Sequence, residues 1–154
     1  MSKLRITPQQ KQAVIRRAHG CCEYCRSQLR FTNQAFSVEH ILPKNLGGQN
    51  VLDNLALSCQ SCNNHKYTKT TGVDPLTGQI APLYHPRQQS WTEHFAWNED
   101  CTLIIGLTPT GRATVATLQL NKPGLVNLRR ILYAAGEHPP IEEEQPPSTE
   151  KPAM

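Results

Sequence analysis

Apolar and polar positions alternate in short blocks along the chain, and the period of the alternation changes from block to block. Residues 8–18 carry apolar side chains at helical spacing behind Thr7, which predicts a capped helix that ends at Gly20. Residues 36–41 alternate between apolar and polar side chains, which predicts a strand that Pro43 stops.

A pair of glycines at 47–48 marks the next segment as a loop, which we expect to cover residues 44–50. We interpret residues 51–57 as a short ordered connection and residues 59–70 as a helix. The middle of the chain is therefore predicted to run strand, loop, helix.

The second half of the chain predicts two strands and two helices. Residues 91–97 and 102–107 are the predicted strands, with a turn at 98–100 between them. A helix is expected to begin at Thr110, and another at Pro123. The last helix has four large apolar side chains at helical spacing, at Leu125, Leu128, Leu132 and Tyr133.

These elements indicate an α+β protein, and its 154 residues suffice for one ordinary domain. We divide it into an N-terminal helix (1–20), a core (21–72), a C-terminal strand and helix extension packed on that core (73–136) and an acidic, proline-rich, disordered tail (137–154). No apolar stretch is long enough to cross a membrane, and the segment after Met1 lacks the apolar centre of a secretory signal. We expect a cytoplasmic protein with no membrane partner.

The net charge of +4 hides an asymmetry between the body and the tail of the chain. Residues 137–154 hold five acids and one base, so residues 1–136 hold fifteen bases and seven acids. A basic body of this size favours a polyanionic partner, most often nucleic acid.

Four of the six cysteines form two C-x-x-C pairs, Cys22 with Cys25 and Cys59 with Cys62. Two such pairs can surround one tetrahedral Zn²⁺, so we predict a structural zinc site. A disulfide framework is the alternative, and it would require an oxidising compartment. Cys21 could replace Cys22 at the less usual C-x₃-C spacing.

Residues 38–66, VEHILPKNLGGQNVLDNLALSCQSCNNHK, contain an ordered set of chemically distinctive residues. The order from Cys22 is C-x-x-C, E-H-I-x-P, G-G, D-N-L, C-x-x-C-N and K. This pattern resembles the HNH nuclease family, the zinc-braced branch of the ββα-metal nucleases. The segments 91–95 and 104–114 are similar to the C-terminal extension of a bacterial subgroup of that family. The resemblance implies a small ββα-metal core braced by the four-cysteine zinc site.

The resemblance also implies roles for individual residues. His40 would be the general base, and Asn54 would hold the loop and orient that base. Glu39 and Asn63 offer oxygen ligands suited to Mg²⁺ or Mn²⁺, with His65 as a substitute for Asn63. In a regular strand, however, Glu39 and His40 point to opposite faces, so one site can use both only if the strand ends or twists there.

Basic residues are the candidates for contact with DNA. Lys66, three residues after Asn63, is expected to reach a phosphate, and Lys44 and Arg112 are further candidates. Other arginines that could contact the DNA backbone are Arg16, Arg17, Arg129 and Arg130. The remaining histidines show no ligand spacing and are expected to be structural or surface residues: His19, His85, His94 and His138.

The expected function is metal-dependent hydrolysis of DNA phosphodiester bonds to 5′-phosphate and 3′-hydroxyl ends, with one divalent ion. A non-catalytic zinc-knuckle module that binds nucleic acid is the alternative, and such a module has no need of Glu39, His40 and Asn63. A third interpretation, a disulfide-bonded secreted domain, suffers from the missing signal segment. Cutting both strands would call for a homodimer, because one active site cuts one strand at a time.

Overall fold

A computed structural model describes residues 5–141 of the chain. Helix α1 spans Pro8–Arg17, and Thr7 caps it by accepting a hydrogen bond from the Gln10 amide while the Gln10 side chain accepts one from the Thr7 amide. The helix is confirmed where the sequence predicts it. It buries Val14 against the sheet beneath it.

The centre of the fold is a two-stranded antiparallel sheet covered by a short helix. Strand β1 spans Phe36–His40, and strand β2 spans Leu55–Cys59. Helix α2 follows directly over Gln60–Lys66 and packs on both strands. The predicted helix 59–70 is thus shorter than expected, because Tyr67 takes a positive φ of 50°.

Strand β2 corrects our interpretation of residues 51–57 as a connection. All five of its residues are buried, so the segment LALSC lacks the alternation that marks a half-exposed strand. Three short 3₁₀ turns complete this part of the chain, at Leu29–Phe31, Lys44–Leu46 and Leu52–Asn54.

The C-terminal extension consists of two small hairpins and three helices. Strands β3 (Thr71–Val73) and β4 (Ile80–Pro82) form one hairpin. Strands β5 (Phe95–Trp97) and β6 (Ile104–Gly106) form the other. The helices are α3 (Trp91–His94), α4 (Pro109–Leu118) and α5 (Pro123–Ala134).

Two predictions for the extension are wrong in detail. Residues 91–94 form helix α3 instead of a strand, because Ser90 and Glu93 make a capping box and Trp91 turns into the core. Helix α4 begins at Pro109 and not at Thr110, because the Thr108 side chain caps the Gly111 amide. The helix predicted to begin at Pro123 is confirmed.

One apolar core joins the cysteine segments to the extension. It contains the two cysteine pairs and Tyr24 from the first half of the chain. From the second half it takes Leu83, Tyr84, Trp91, Phe95, Ile104, Leu118, Leu120 and Leu125. A smaller cluster lies between α1 and β2 and consists of Val14, Ala18, Leu55 and Leu57.

The chain after α5 stays in contact with the folded body as far as it is described. The Gln28 amide donates to the Glu137 carbonyl over 2.7 Å, and His138 is buried against the Cys101 carbonyl. These two residues therefore pack where a disordered tail was expected, and residues 142–154 of that predicted tail lie outside the described residues. No helix in the described range 5–141 has the length and apolar character required to span a membrane.

Candidate functional site

The four cysteines of the two C-x-x-C pairs come together inside the protein. Their sulfur atoms lie within 4.8 Å of one another, and all four side chains are buried. The Cys25 and Cys59 sulfurs are 3.6 Å apart. A tetrahedral zinc ion with Zn–S bonds of about 2.3 Å places its sulfurs about 3.8 Å apart. The cluster is therefore compatible with a zinc site.

Local backbone geometry explains why this set of thiols converges. Cys59 ends β2 and caps α2, and its sulfur accepts a hydrogen bond from the Cys62 amide over 3.4 Å. The hydrogen bond with the Cys22 thiol, aided by those of Cys59 and Cys62, lowers the pKa of Cys25 well below its usual value. The neighbouring thiols raise the pKa of Cys59 and of Cys62 in turn, so in the absence of a metal ion the cluster favours a thiolate at Cys25.

The other two cysteines lie outside the cluster. Cys21 forms an isolated bridge with Gln28, and its sulfur approaches the His19 carbonyl at 3.6 Å. Cys22 and not Cys21 thus joins the cluster. All six cysteines are free thiols in the structure, which does not support the disulfide interpretation.

His40 occupies the last position of β1 and is half-buried. Its Nε2 lies 2.5 Å from the Asn50 Oδ1, so Nε2 carries the proton and donates it to that oxygen. The Nδ1 atom is left with the lone pair that a general base requires. Asn50 belongs to the loop that follows β1, and nothing in the sequence singled it out.

Asn54 holds the loop between β1 and β2. Its Oδ1 accepts from the Leu42 amide over 2.8 Å, and its Nδ2 donates to the Leu42 and Gln49 carbonyls over 3.1 Å each. Gly48 lies in the same contact, since a Cβ there would come within 1.7 Å of the Leu42 oxygen. The loop that carries Asn50 to His40 is therefore fixed by one side chain and one glycine.

Glu39 faces the interior, opposite to its neighbour His40. Its carboxylate accepts a hydrogen bond from the Tyr24 hydroxyl and lies 3.4 Å from the Lys66 ammonium. Burial raises the pKa of Glu39, and the charge of Lys66 opposes that rise. The regular strand thus continues through both residues, and the carboxylate proposed as a metal ligand is engaged with protein groups.

Lys66 corrects one prediction for the DNA-binding surface. Its side chain is only 2% exposed, and the ammonium donates to the Ile41 carbonyl over 2.9 Å in addition to pairing with Glu39. The prediction was wrong because α2 packs its Lys66 face onto β1. Asn63 is half-buried, and its side chain has no hydrogen-bond partner within residues 5–141.

Arg112, another predicted DNA contact, is engaged within the protein. Its guanidinium forms two hydrogen bonds of 2.9 Å to the Asp74 carboxylate, and it thereby joins α4 to the β3–β4 turn. Of the other arginines, Arg17 binds the Leu52 and Leu55 carbonyls, and Arg129 is buried. Lys44 is exposed on the loop after β1, as a DNA contact requires.

His65 is occupied within its own helix, because its Nδ1 lies 2.8 Å from the Ser61 carbonyl. This contact leaves the lone pair of the other ring nitrogen, Nε2, for a metal ion, so His65 stays the alternative to Asn63 as a ligand. Sequence reasoning missed Tyr24 as the partner of Glu39, although its place between Cys22 and Cys25 could have marked it. Because Tyr24 lies between two buried cysteines, its aromatic side chain is buried in the same core.

Comparison with known proteins identifies a family and a distant relative. Residues 22–69 match the model of the HNH endonuclease family. The Septu protein PtuB of Bacillus thuringiensis is 28% identical over 128 residues, which cover 82% of this chain and 44% of that protein. The chain thus spans less than half the length of the curated relative it matches, and no solved structure matches it.

The family match covers the segment that contains both cysteine pairs, the β1–β2 sheet and α2. It also covers His40 at the strand end, Asn54 in the loop and Asn63 on the helix. Residues 22–69 of this chain therefore resemble an HNH endonuclease domain, and the match covers about a third of the chain.

Proposed function

We propose that this protein is a metal-dependent endonuclease that hydrolyses DNA to 5′-phosphate and 3′-hydroxyl ends. The observation that supports this most strongly is the arrangement around His40. The histidine ends a strand, its Nε2 is held by Asn50, and Asn54 fixes the loop that carries Asn50. A histidine held in one orientation with one free ring nitrogen is suited to general-base catalysis.

In this proposal His40 Nδ1 takes a proton from the water that attacks the phosphorus atom. The Asn50 oxygen keeps the ring in the required tautomer and stabilises the imidazolium that forms. Asn54 acts through the loop and touches no reacting atom. These roles are assigned from the contacts of the His40 ring, and they apply to any DNA sequence.

Asn63 and Glu39 are the proposed holders of a divalent ion, Mg²⁺ or Mn²⁺. The Asn63 amide fits this role because it has no other partner in the described chain. For Glu39 to take part, its carboxylate has to exchange the Lys66 ammonium for the ion. When bound, the ion would neutralise charge on the phosphate and the leaving oxygen.

We further propose that the four-cysteine cluster binds structural Zn²⁺, and that a basic surface including Lys44 binds DNA. Lys44 lies in the loop that also carries Asn50, the partner of His40. We expect its ammonium to contact a phosphate of DNA bound beside the histidine. A single chain would nick one strand, and cleavage of both strands would use two copies.

A plasmid-nicking assay with Mg²⁺, Mn²⁺ or excess EDTA tests the proposal. We expect wild-type protein to relax supercoiled DNA only with a divalent ion, and His40→Asn to abolish relaxation while zinc content and DNA binding persist. His19→Asn is the matched control, because His19 is exposed in a turn away from the strand and has a positive φ that asparagine tolerates. Equal loss of DNA binding in His40→Asn would assign the histidine a structural role.

The burial of Glu39 with Lys66 favours a second candidate, a zinc module that binds nucleic acid without cutting it. Both carboxylate oxygens of Glu39 are engaged, one by the Tyr24 hydroxyl and the other by the Lys66 ammonium, which disfavours its use as a metal ligand. Intact plasmid with every metal ion and every sequence tried, together with a retained gel shift, would support this second candidate. Metal-dependent nicking by wild-type protein would exclude it.

A further inference from the structure

Arg129 is a buried cation in the middle of the extension. Only 4% of its surface is exposed, although arginine is rarely buried without a partner. It projects from α5 toward the cysteine cluster, and its guanidinium also lies 5.2 Å from the centre of the Trp97 ring.

Every hydrogen bond of this guanidinium goes to a neutral acceptor. One terminal nitrogen, Nη1, donates to the Thr102 carbonyl over 2.9 Å and to the Asn121 side chain over 3.0 Å. The other, Nη2, donates to the Leu120 carbonyl over 2.6 Å and to the Cys25 carbonyl over 3.4 Å. Within residues 5–141, no carboxylate forms an ion pair with it.

A buried guanidinium without an opposite charge is strongly unfavourable, because a buried ion that has lost its partner keeps the full cost of its desolvation. The guanidinium lies against the cysteine cluster, because its Nη2 donates to the carbonyl of Cys25, one of the four cysteines whose sulfurs converge. Those four buried thiols are therefore the groups beside Arg129 that can carry the compensating negative charge.

Four thiolates around one Zn²⁺ leave two negative charges in excess. We propose that Arg129 is the counter-charge of this zinc–thiolate centre and the positioning residue by which α5 is docked onto it. The inference rests on the proposed zinc site. It gives the extension a role in holding the metal, although all four proposed ligands lie outside the extension.

Zinc affinity in three full-length variants tests the proposal. Arg129→Gln removes the charge and keeps a hydrogen-bond donor, whereas Arg129→Lys keeps the charge and loses the planar fork. Arg130→Gln is the matched control, because Arg130 is the exposed neighbour on the same helix and donates to the Asn127 side chain. Zinc dissociation constants come from competition with a coloured chelator, and Co²⁺ absorption spectra report on the thiolate set.

We expect Arg129→Gln to weaken zinc binding by about tenfold or more, which corresponds to a loss of about 1.4 kcal/mol of electrostatic stabilisation. It should also raise the pH at which half of the zinc is released, because protons then compete better for the thiolates. Arg129→Lys should stay within about threefold of wild type, as should the control.

Two results would overturn the proposal: unchanged zinc affinity in Arg129→Gln, or equal losses in the Gln and Lys variants. Equal losses would show that the fork of hydrogen bonds matters and the charge does not. If Arg129→Gln does not fold, Arg129→Lys decides alone, and a tenfold loss there contradicts the counter-charge role. A wild-type protein that binds no zinc would instead refute the zinc site on which the inference rests.

Discussion

The loop beside His40 is held by the side-chain amide of Asn54 and needs a glycine at position 48. Asn54 bonds to both polar groups of Leu42, and Gly48 leaves the room for that contact. The position of the proposed base thus depends on residues that touch no substrate.

Gly48→Ala should therefore lower DNA cleavage by about tenfold or more without releasing zinc, since small displacements of a catalytic group are costly. The added Cβ would meet the Leu42 oxygen at 1.7 Å and push the loop off Asn54. Gly124→Ala is the control, because a Cβ there meets nothing within 4 Å. Nicking rates and zinc content are the measurements, and an unchanged rate in Gly48→Ala would show that the loop tolerates displacement.

Lys66 provides a second test on this scale. Lys66→Met should lower the free energy of unfolding by about 3–5 kcal/mol at neutral pH, because Glu39 then remains as a buried carboxylate without its counter-ion. Unfolding in urea measures the loss. The double variant Glu39→Gln/Lys66→Met should recover much of it, whereas an equal or larger loss would indicate that the pair contributes net stability.

The sequence predicts which residues approach the site better than it predicts where their side chains point. The order of the motif was enough to predict that the two cysteine pairs converge, and it made His40 the candidate base. The pairing of Lys66 with Glu39 was not predictable, because it depends on how α2 rotates as it packs on β1. The same applies to Asn50, whose contact with His40 comes from the fold of the loop.

Among the secondary-structure elements, those with a clear apolar period were predicted, and those determined by burial were not. Helix α1 has both a capping box and a buried Val14. Strand β2 is apolar on both faces, which conceals its period. Helix α3 has only four residues, so its tertiary contacts decide its conformation and the β-favouring aromatic residues nearby mislead.

Helix α2 and strand β2 depend on the cysteine cluster at their junction. Cys62→Ser should release the zinc and lower the thermal midpoint, because metal binding supplies folding free energy in small sites of this type. Cys101→Ser is the control, since Cys101 is a half-buried thiol outside the cluster. Metal analysis and a thermal melt are sufficient, and a Cys62→Ser protein that keeps its thermal midpoint would refute the zinc site.

On the scale of the whole molecule, Asp74 and Arg112 join the β3–β4 hairpin to α4. The hydrogen bonds from Arg112 hold the pKa of Asp74 at about 2, below the usual value for an aspartate. The folded state thus binds this proton less readily than the unfolded state. The stability that the pair contributes is complete above about pH 4 and is lost as the pH falls through about 2.

Asp74→Asn should therefore lower stability at neutral pH and flatten the decline of stability between about pH 4 and pH 2. Chemical unfolding at a series of pH values gives the two curves. Asp53→Asn serves as the control, since Asp53 is exposed in the short turn before β2. An acid decline in Asp74→Asn as steep as that of wild type would contradict the assignment.

The apolar core that joins the cysteine segments to the extension also determines how much of the chain has to be transferred to move the site into another protein. The Trp91 indole donates to the Tyr24 carbonyl over 3.0 Å, and the Arg129 guanidinium donates to the Cys25 carbonyl. Both contacts join the cysteine turn to chain more than sixty positions further along. A fragment cut after residue 72 would expose Tyr24 and the thiols to water. The smallest unit that can be transplanted is therefore the motif together with its extension, although the family signature itself ends at residue 69.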